Sequence, residues 1–228
     1  MKKRIVRQAF YRSLPVMAGY IVLGIGFGIL LRNAGFGMLW SFAMGTFIYA
    51  GSMQYVGVSL LAGGASVLTT VLTTFMVNAR HLFYSISMID TYKDAGKYKP
   101  YMIFALTDET YSLLCDGDTP DREHADLYRF LVSMFNHSYW ITGCVLGSLL
   151  GAVIPFSTAG IEFSMTALFI TSFTEQWLNT HDHVSALTGL FSTLVCLILF
   201  GPERFLIPAM LVMTLVLTLL RGRMEKRA

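Results

Sequence analysis

The chain has 228 residues, of which 54% are apolar and only 14% charged, and its mean hydropathy is +0.57. A soluble domain carries about a quarter of its residues as charges, so this composition lies outside the soluble range and names lipid as the solvent. The net charge of +3 is concentrated at the two ends, and no aromatic-interleaved basic patch accompanies it, which argues against nucleic acid as a partner.

Lys2, Lys3, Arg4, Arg7 and Arg12 precede the first apolar stretch, residues 14–31. Arg221, Arg223, Lys226 and Arg227 follow the last, so both ends read as cytoplasmic. The start resembles a signal peptide only superficially: the stretch is too long for an h-region and no small-residue cleavage site follows Arg32, so it is expected to stay as a span. Further apolar stretches cover residues 38–61, 65–89, 101–115, 128–154, 163–178, 184–200 and 205–220. Lipid admits only helices and closed barrels, and the ten-residue alternation of barrel strands is missing. The expected fold is therefore all-α, a polytopic membrane helix bundle of seven or eight segments. No linker divides the chain, so residues 1–228 are expected to form a single integral membrane domain.

Two segments are short or interrupted. Residues 101–115 would cover only about 22 Å as a helix, and residues 163–178 hold Glu175 near their end, so either could be a half-helix or a re-entrant segment. Eight full spans would also put the loop with Lys93, Lys97 and Lys99 outside, against the charge rule. A broken or re-entrant segment at 38–61 or 65–89 removes that conflict.

Gly24 and Gly28, and again Gly143, Gly147 and Gly151, give small-xxx-small faces that let helices approach closely. Each glycine-rich stretch is followed by a similar string, Phe42-Ala-Met-Gly-Thr-Phe-Ile running on to Gln54 and Phe163-Ser-Met-Thr-Ala-Leu-Phe running on to Glu175 and Gln176. That echo suggests two repeats with interrupted helices, although two apolar segments also match by chance. Cys115, Cys144 and Cys196 stand singly and read as small core residues. Asp116 to Asp126, with Asp118, Asp121 and Glu123, reads as a solvated loop, because the glycine and closing glutamate of a calcium loop are misplaced. His181-Asp182-His183 lacks further ligands at metal spacing and reads as a polar loop.

Residues 65–89 put Asn78, Arg80 and His81 in the middle of an apolar segment, where an arginine costs roughly 2.5 to 3.5 kcal/mol on insertion scales and so must face a partner, a bundle interior or a wet cavity. At 100° per residue, Thr70, Thr74, Asn78, His81 and Ser85 share one stripe, with Arg80, Thr73, Tyr84 and Ser87 on a second side. Such a helix should touch little lipid there. Interhelical hydrogen bonding explains the hydroxyls and the amide, but does not require the charge. In Tyr49-Ala50-Gly51-Ser52-Met53-Gln54, three small residues separate two hydrogen-bonding side chains, so a helix can be interrupted there and offer donors and acceptors to a zwitterion; a tight packing site is the plainer reading. Asp108 and Glu109 diverge by about 100° on a helix. They are either the partner of Arg80 and a proton-titrating acid, or solvated at an interface. Asn136-His137-Ser138-Tyr139-Trp140 either faces the same cavity or supplies interfacial anchors.

Taken in order on successive segments, Tyr49-Ala-Gly-Ser-Met-Gln54, Asn78-Ala-Arg-His81 with Tyr84, and Thr107-Asp-Glu-Thr110 resemble the AzlC-like branched-chain amino acid exporters. The resemblance implies a bacterial inner-membrane exporter of leucine, isoleucine and valine, sometimes of methionine or toxic analogues, working with a small hydrophobic AzlD-like membrane subunit. It implies a substrate site at Tyr49, Gly51, Ser52, Gln54, Asn78, Arg80, His81 and Tyr84, with Asp108, Glu109 or His81 carrying a coupling proton. No cofactor or metal is expected. The lack of a GxxxxGK[ST] loop favours an ion gradient over ATP. The lack of HExxH or a nucleophile elbow weighs against an intramembrane enzyme. A non-transporting scaffold remains the other alternative.

Overall fold

The structure, a computed structural model, describes residues 2–115, 117, 119, 123–153, 160, 163, 166–167, 170, 173–174, 177–178, 183–202 and 204–224. All regular structure among them is helical: α1 (Lys2–Asn33), α2 (Met38–Phe47), α3 (Gly51–Ala62), α4 (Val67–Asn78), α5 (Arg80–Ser87), α6 (Lys99–Phe104), α7 (Asp108–Leu114), α8 (Ala125–Val153), α9 (Val184–Phe200) and α10 (Leu206–Met224), with a short 3-10 turn at Gly96–Tyr98. They fall into two compact units, Met1–Met165 and Thr166–Ala228. Asp116, Asp118, Asp121, Glu175, Gln176, His181 and Asp182 lie outside the described residues, as does most of the 163–178 segment, so the second arm of the internal echo does too.

In the first unit α1 and α8 run parallel in close contact. Phe10 packs on Phe135 with ring centroids 5.6 Å apart, the Ser13 and Tyr139 hydroxyls are 3.1 Å apart, and Tyr20 packs on Trp140 at 5.4 Å. Further along, a methyl on Gly24 would sit 2.9 Å from the Cys144 nitrogen and one on Gly143 would sit 2.8 Å from the Ile21 carbonyl. Gly28 lies against the Cys144 carbonyl, Gly147 against the Ile25 carbonyl, and Gly151 against Ile29 and Arg32. The two small-residue faces of the sequence are thus the two halves of one seam, where backbone meets backbone.

The remaining segments hang on that pair. Residues 38–61 form a hairpin rather than a span. Gly37 starts beside Arg32, Gly45 lies against Ile141 and Cys144, and Tyr49 reaches Tyr20, with ring centroids 6.3 Å apart. The chain then turns back, and the Tyr55 hydroxyl donates to the Leu23 carbonyl (2.7 Å) while its ring packs on Phe27. Helices α4 and α5 run the other way, from the far end of that hairpin to Met88. Met88 joins Ile5, Ala9, Met102, Leu114, Tyr128 and Val132 in an apolar cluster at the N-terminal ends of α1 and α8. From there a second hairpin rises. Tyr98 and Tyr101 pack on Phe130, Phe104 reaches His137, and Thr107 meets Tyr20 before α7 returns to put Leu114 back in the cluster. The lysine-bearing loop therefore sits at the same end of the unit as the basic N-terminus, which removes the charge conflict.

The exterior is apolar, and polar side chains are buried within the apolar core. Leu39, Phe47, Val67 and Val153 are exposed, whereas Ser13, Ser41, Gln54, Thr107, Thr110, Ser133, Asn136, His137 and Ser148 are buried. Among the described residues α1 alone is long and apolar enough to cross a membrane by itself. Two expectations need correction. The helical ladder breaks at Ala79, so residues 65–89 carry no continuous stripe; α4 buries no residue, exposes Val67, Leu68, Val71, Leu72 and Phe75, and Ser85 is exposed as well. Cys115 is exposed, while Cys144 and Cys196 are buried as expected.

In the second unit, Gly201 at φ +74 closes α9 and turns the chain into α10, and Gly189 of α9 lies against the Met213 sulfur. The hairpin holds an apolar groove of about 550 Å³ lined by Leu187, Phe191, Val195, Val212 and Val216 among others. His183 stacks on Trp177 with centroids 4.0 Å apart.

Gly147→Ala should lower the unfolding midpoint of detergent-purified protein, with overpacking costing about 1–3 kcal/mol. Gly19→Ala, where no atom lies within 4 Å of the added methyl, should be neutral or stabilising by up to about 1 kcal/mol through helix propensity.

Candidate functional site

Three helical segments break at one level of the first unit, and the breaks face one another. Between α2 and α3, Tyr49 adopts φ +44, the left-handed region that bulky residues rarely enter. The surroundings fix it there: its N–H donates to the Met44 carbonyl (3.3 Å) and its ring lies on His137 at 4.2 Å. Gly51 opens α3 against the Trp140 indole, which would stand 3.2 Å from an added methyl, so the break is also a tight packing site. Between α4 and α5, Ala79 keeps helical dihedrals but the ladder tightens, with the Leu82 N–H donating to the Ala79 carbonyl. The Asn78 carbonyl accepts His81 Nδ1–H instead (3.1 Å). Between α6 and α7, Thr107 caps the new helix: its hydroxyl accepts the Thr110 N–H. Asp108 and Glu109 follow in the first turn, where the exposed N–H groups favour negative charge.

One residue from each break meets the others. Arg80 pairs with Asp108 through Nη1 and Oδ2 at 2.7 Å, and its Nη2 donates to the Ser52 hydroxyl at 2.7 Å. The ion pair is about a quarter exposed, open enough for a ligand to reach. Glu109 turns the opposite way from Asp108 and accepts the Tyr20 hydroxyl of α1 at 2.7 Å. The adjacent acids thus serve two targets, as their helical divergence requires.

The other candidates stand around this triad. Gln54 is fully buried, and its Oε1 accepts the Trp140 Nε1–H at 2.8 Å, so it is drawn toward α8. Among the described residues its Nε2 and the Asn78 Oδ1 are buried with no hydrogen-bond partner, while the Tyr49 hydroxyl is buried beside those of Tyr20 and Thr110. His81 bonds its own backbone and meets Tyr84 edge to face, while Tyr84 stacks on Tyr111 at 5.1 Å. His137 is held on both nitrogens, by the Gly45 carbonyl at Nε2 and by the Tyr101 hydroxyl at Nδ1. Tyr139 and Trp140 bond inward, to Ser13 and Gln54, rather than anchoring an interface.

Sequence reasoning missed Tyr20 and left Thr107 and Thr110 without a role. Tyr20 sits in the long apolar run of α1, and a lone hydroxyl gives no periodic signal. Asn136 donates from Nδ2 to the Thr110 hydroxyl at 3.0 Å, which ties α8 to the third break.

A helical unit with an apolar exterior, buried polar side chains and an ion pair held between broken helices has the architecture of a membrane transport protein. The AzlC protein family model matches residues 15–154. The chain is 43% identical to the Bacillus subtilis "Branched-chain amino acid transport protein AzlC", over 96% of this chain and 87% of that one. It is 40% identical to an uncharacterized membrane protein of Haemophilus influenzae, over 97% and 91% of the two chains. It is 28% identical to the Escherichia coli "Inner membrane protein YgaZ", over 70% and 68%. No solved structure matches the chain. The chain belongs to the AzlC family.

Neutralising Asp108 or Arg80 singly should destabilise the purified protein more than neutralising both. In a double-mutant cycle of Asp108→Asn and Arg80→Gln read by denaturant titration in detergent, a coupling of about 1–3 kcal/mol is expected.

Proposed function

We propose that this protein exports branched-chain amino acids across the bacterial inner membrane as an ion-gradient-driven secondary transporter. The observation that carries the reading is the convergence of Ser52, Arg80 and Asp108 from three broken segments, in a chain whose Bacillus subtilis relative is named for branched-chain amino acid transport. A zwitterion is the natural competitor of an arginine–aspartate pair. Its carboxylate can take the Arg80 guanidinium, which binds carboxylates in a planar fork, and its ammonium can take Asp108, so the four charges alternate and none is left uncompensated. Ser52, Tyr49 and the unused polar atoms of Gln54 and Asn78 supply further hydrogen bonds, with Gly51, His81 and Tyr84 shaping the site. Glu109, held by Tyr20 away from the ion pair, carries the coupling proton.

In this reading α1, the broken pair α4–α5, and α8 cross the bilayer, and the two hairpins enter from opposite sides and stop near its midplane. The N-terminus and the Lys93–Lys99 loop are cytoplasmic, which accords with their shared end of the unit and with their positive charge. Backbone freed at the hairpin tips is tolerated in lipid only because it faces protein or a wet cavity. A small hydrophobic AzlD-like subunit completes the transporter.

In liposomes, labelled leucine should accumulate by counterflow when the purified chain is reconstituted with the small subunit. Arg80→Ala should reduce counterflow to the level of empty liposomes while the protein stays in the membrane at wild-type amounts. Normal flux in that variant would remove the role of Arg80, and no flux in the wild type would leave a scaffold. Lys97→Cys, in a background without native cysteines, should react with an impermeant maleimide from the cytoplasmic side only.

A further inference from the structure

Resting on that reading, the first turn of α3 offers hydrogen-bond donors, and one side chain of α8 makes its neighbouring amide do the same. Gly51, Ser52 and Met53 open the helix, so their N–H groups have no partner within it; the Gln54 N–H is the first to close the ladder, on the Ala50 carbonyl at 2.8 Å. Ala50 supplies no side-chain cap, and the turn holds no acid. Helix α7 is the contrast, because Thr107 caps it and Asp108 and Glu109 stand in its first turn. In place of an anion, α3 has a cation: Arg80 Nη2 donates to the Ser52 hydroxyl oxygen at 2.7 Å. Positive charge thus meets the positive end of a helix, where a negative group is the favoured occupant. With Arg80 on one of its lone pairs, the Ser52 hydroxyl keeps its own hydrogen to give.

A second observation points the same way. Gln54 is fully buried, and among the described residues its Nε2 has no hydrogen-bond partner. Chemistry sets the orientation of that amide. The Trp140 indole can only donate, so the atom 2.8 Å from its Nε1 has to be Oε1, and the NH2 group is left over. The amide lies level with the first turn of α3, since the same indole packs on Gly51, where an added methyl would stand 3.2 Å from it. Trp140 is itself buried, edge-on to Tyr20 with ring centroids 5.4 Å apart and stacked on Phe27 at 6.4 Å. Without the indole N–H the amide could turn over and present its oxygen, so Trp140 decides whether this wall gives hydrogens or accepts them. Leaving a buried N–H unpaired is costly, and a ligand oxygen that reaches it removes the cost.

We infer that the first turn of α3 is the seat of the substrate carboxylate, and that Trp140 is a positioning residue which maintains it by holding the Gln54 amide with its NH2 group toward the ligand. The carboxylate takes the Ser52 hydroxyl, the Gln54 NH2 group and the open N–H groups of α3, while Arg80 neutralises it. The ammonium is left to Asp108, which meets the other terminal nitrogen of the same guanidinium. The amino acid is thereby oriented, and a free carboxylate becomes a requirement for binding.

The test is isothermal titration of the full chain, purified in detergent, with leucine, with isocaproate, which is leucine without its ammonium, and with leucinamide, in which the carboxylate is an amide. The wild type should bind isocaproate and prefer it to leucinamide by about tenfold, the worth of one hydrogen bond to a charged group. Gln54→Glu keeps an oxygen for Trp140 but puts a second oxygen where the NH2 group was, and it should reverse that order. A loss of fold weakens both ligands and cannot reverse them; should that variant bind neither, a double-mutant cycle decides. Trp140→Phe keeps the ring packing but frees the amide, so it should weaken leucine binding by about fivefold in the wild-type background and leave it unchanged in Gln54→Met, where no amide remains to be oriented. A role in packing alone would weaken binding equally in both backgrounds. An unchanged ligand order in Gln54→Glu, or a Trp140→Phe effect that persists in Gln54→Met, overturns the assignment. Leucine counterflow with an unchanged order removes the seat and keeps the export, whereas a reversed order without counterflow keeps the seat and removes the export.

Discussion

The seam in which Gly24 and Gly28 of α1 meet Gly143 and Gly147 of α8, backbone against backbone, is the contact on which the first unit hangs. Lipid offers no hydrophobic driving force between helices, so association rests on van der Waals packing and on hydrogen bonds, and both improve as backbones approach. The close approach lets Tyr20 of α1 and Trp140 and Asn136 of α8 project to one level as a rigid platform. Each hairpin tip then bonds to that platform: Gln54 to Trp140, Thr107 to Tyr20, Thr110 to Asn136. A looser seam would separate these donors and acceptors and leave them unsatisfied in a medium that cannot hydrate them.

The hairpins solve a second constraint. Broken helices expose backbone groups, and in lipid each unsatisfied group costs several kcal/mol. The breaks are therefore placed where the interior is already polar. The Gly45 carbonyl near the end of α2 accepts His137, the Asn78 carbonyl accepts His81, and the first turn of α7 is capped by Thr107. The Arg80–Asp108 pair sits where these polar ends collect, so its charges are stabilised by the dipoles that the breaks themselves create. Breaks and ion pair require one another.

Much of this was legible in the sequence because membrane composition leaves few polar residues, and each is therefore conspicuous. Arg80 in an apolar run had to find a partner, and Asp108 was a nearby carboxylate on another short segment. The Tyr49-Ala-Gly-Ser string announced a break, and the two glycine faces announced a close approach. What failed was the step that assumed continuous helix: the stripe from Thr70 to Ser85 depended on 100° per residue through Ala79, and the ladder tightens there. The pairing of the glycine faces with one another, the hairpin at 38–61 and the part played by Tyr20 are tertiary facts, which no local pattern encodes. The family model also ends at residue 154, inside the first unit, and the sequence landmarks are correspondingly sparse beyond Thr110.

The most economical feature is the use of two adjacent acids for opposite tasks. Neighbouring residues on a helix point about 100° apart, so a single first turn can aim Asp108 across to α5 and Glu109 back to α1. Asp108 faces the Arg80 guanidinium in an ion pair. Glu109 faces a neutral hydroxyl that can donate or accept, so both of its protonation states can be hydrogen-bonded. A ligand carboxylate that draws Arg80 away would leave Asp108 to the ligand's ammonium, while Glu109 keeps its own partner on α1. One turn of helix thus separates the acid that meets a charge from the acid that meets a hydroxyl, without a wire of any length between them.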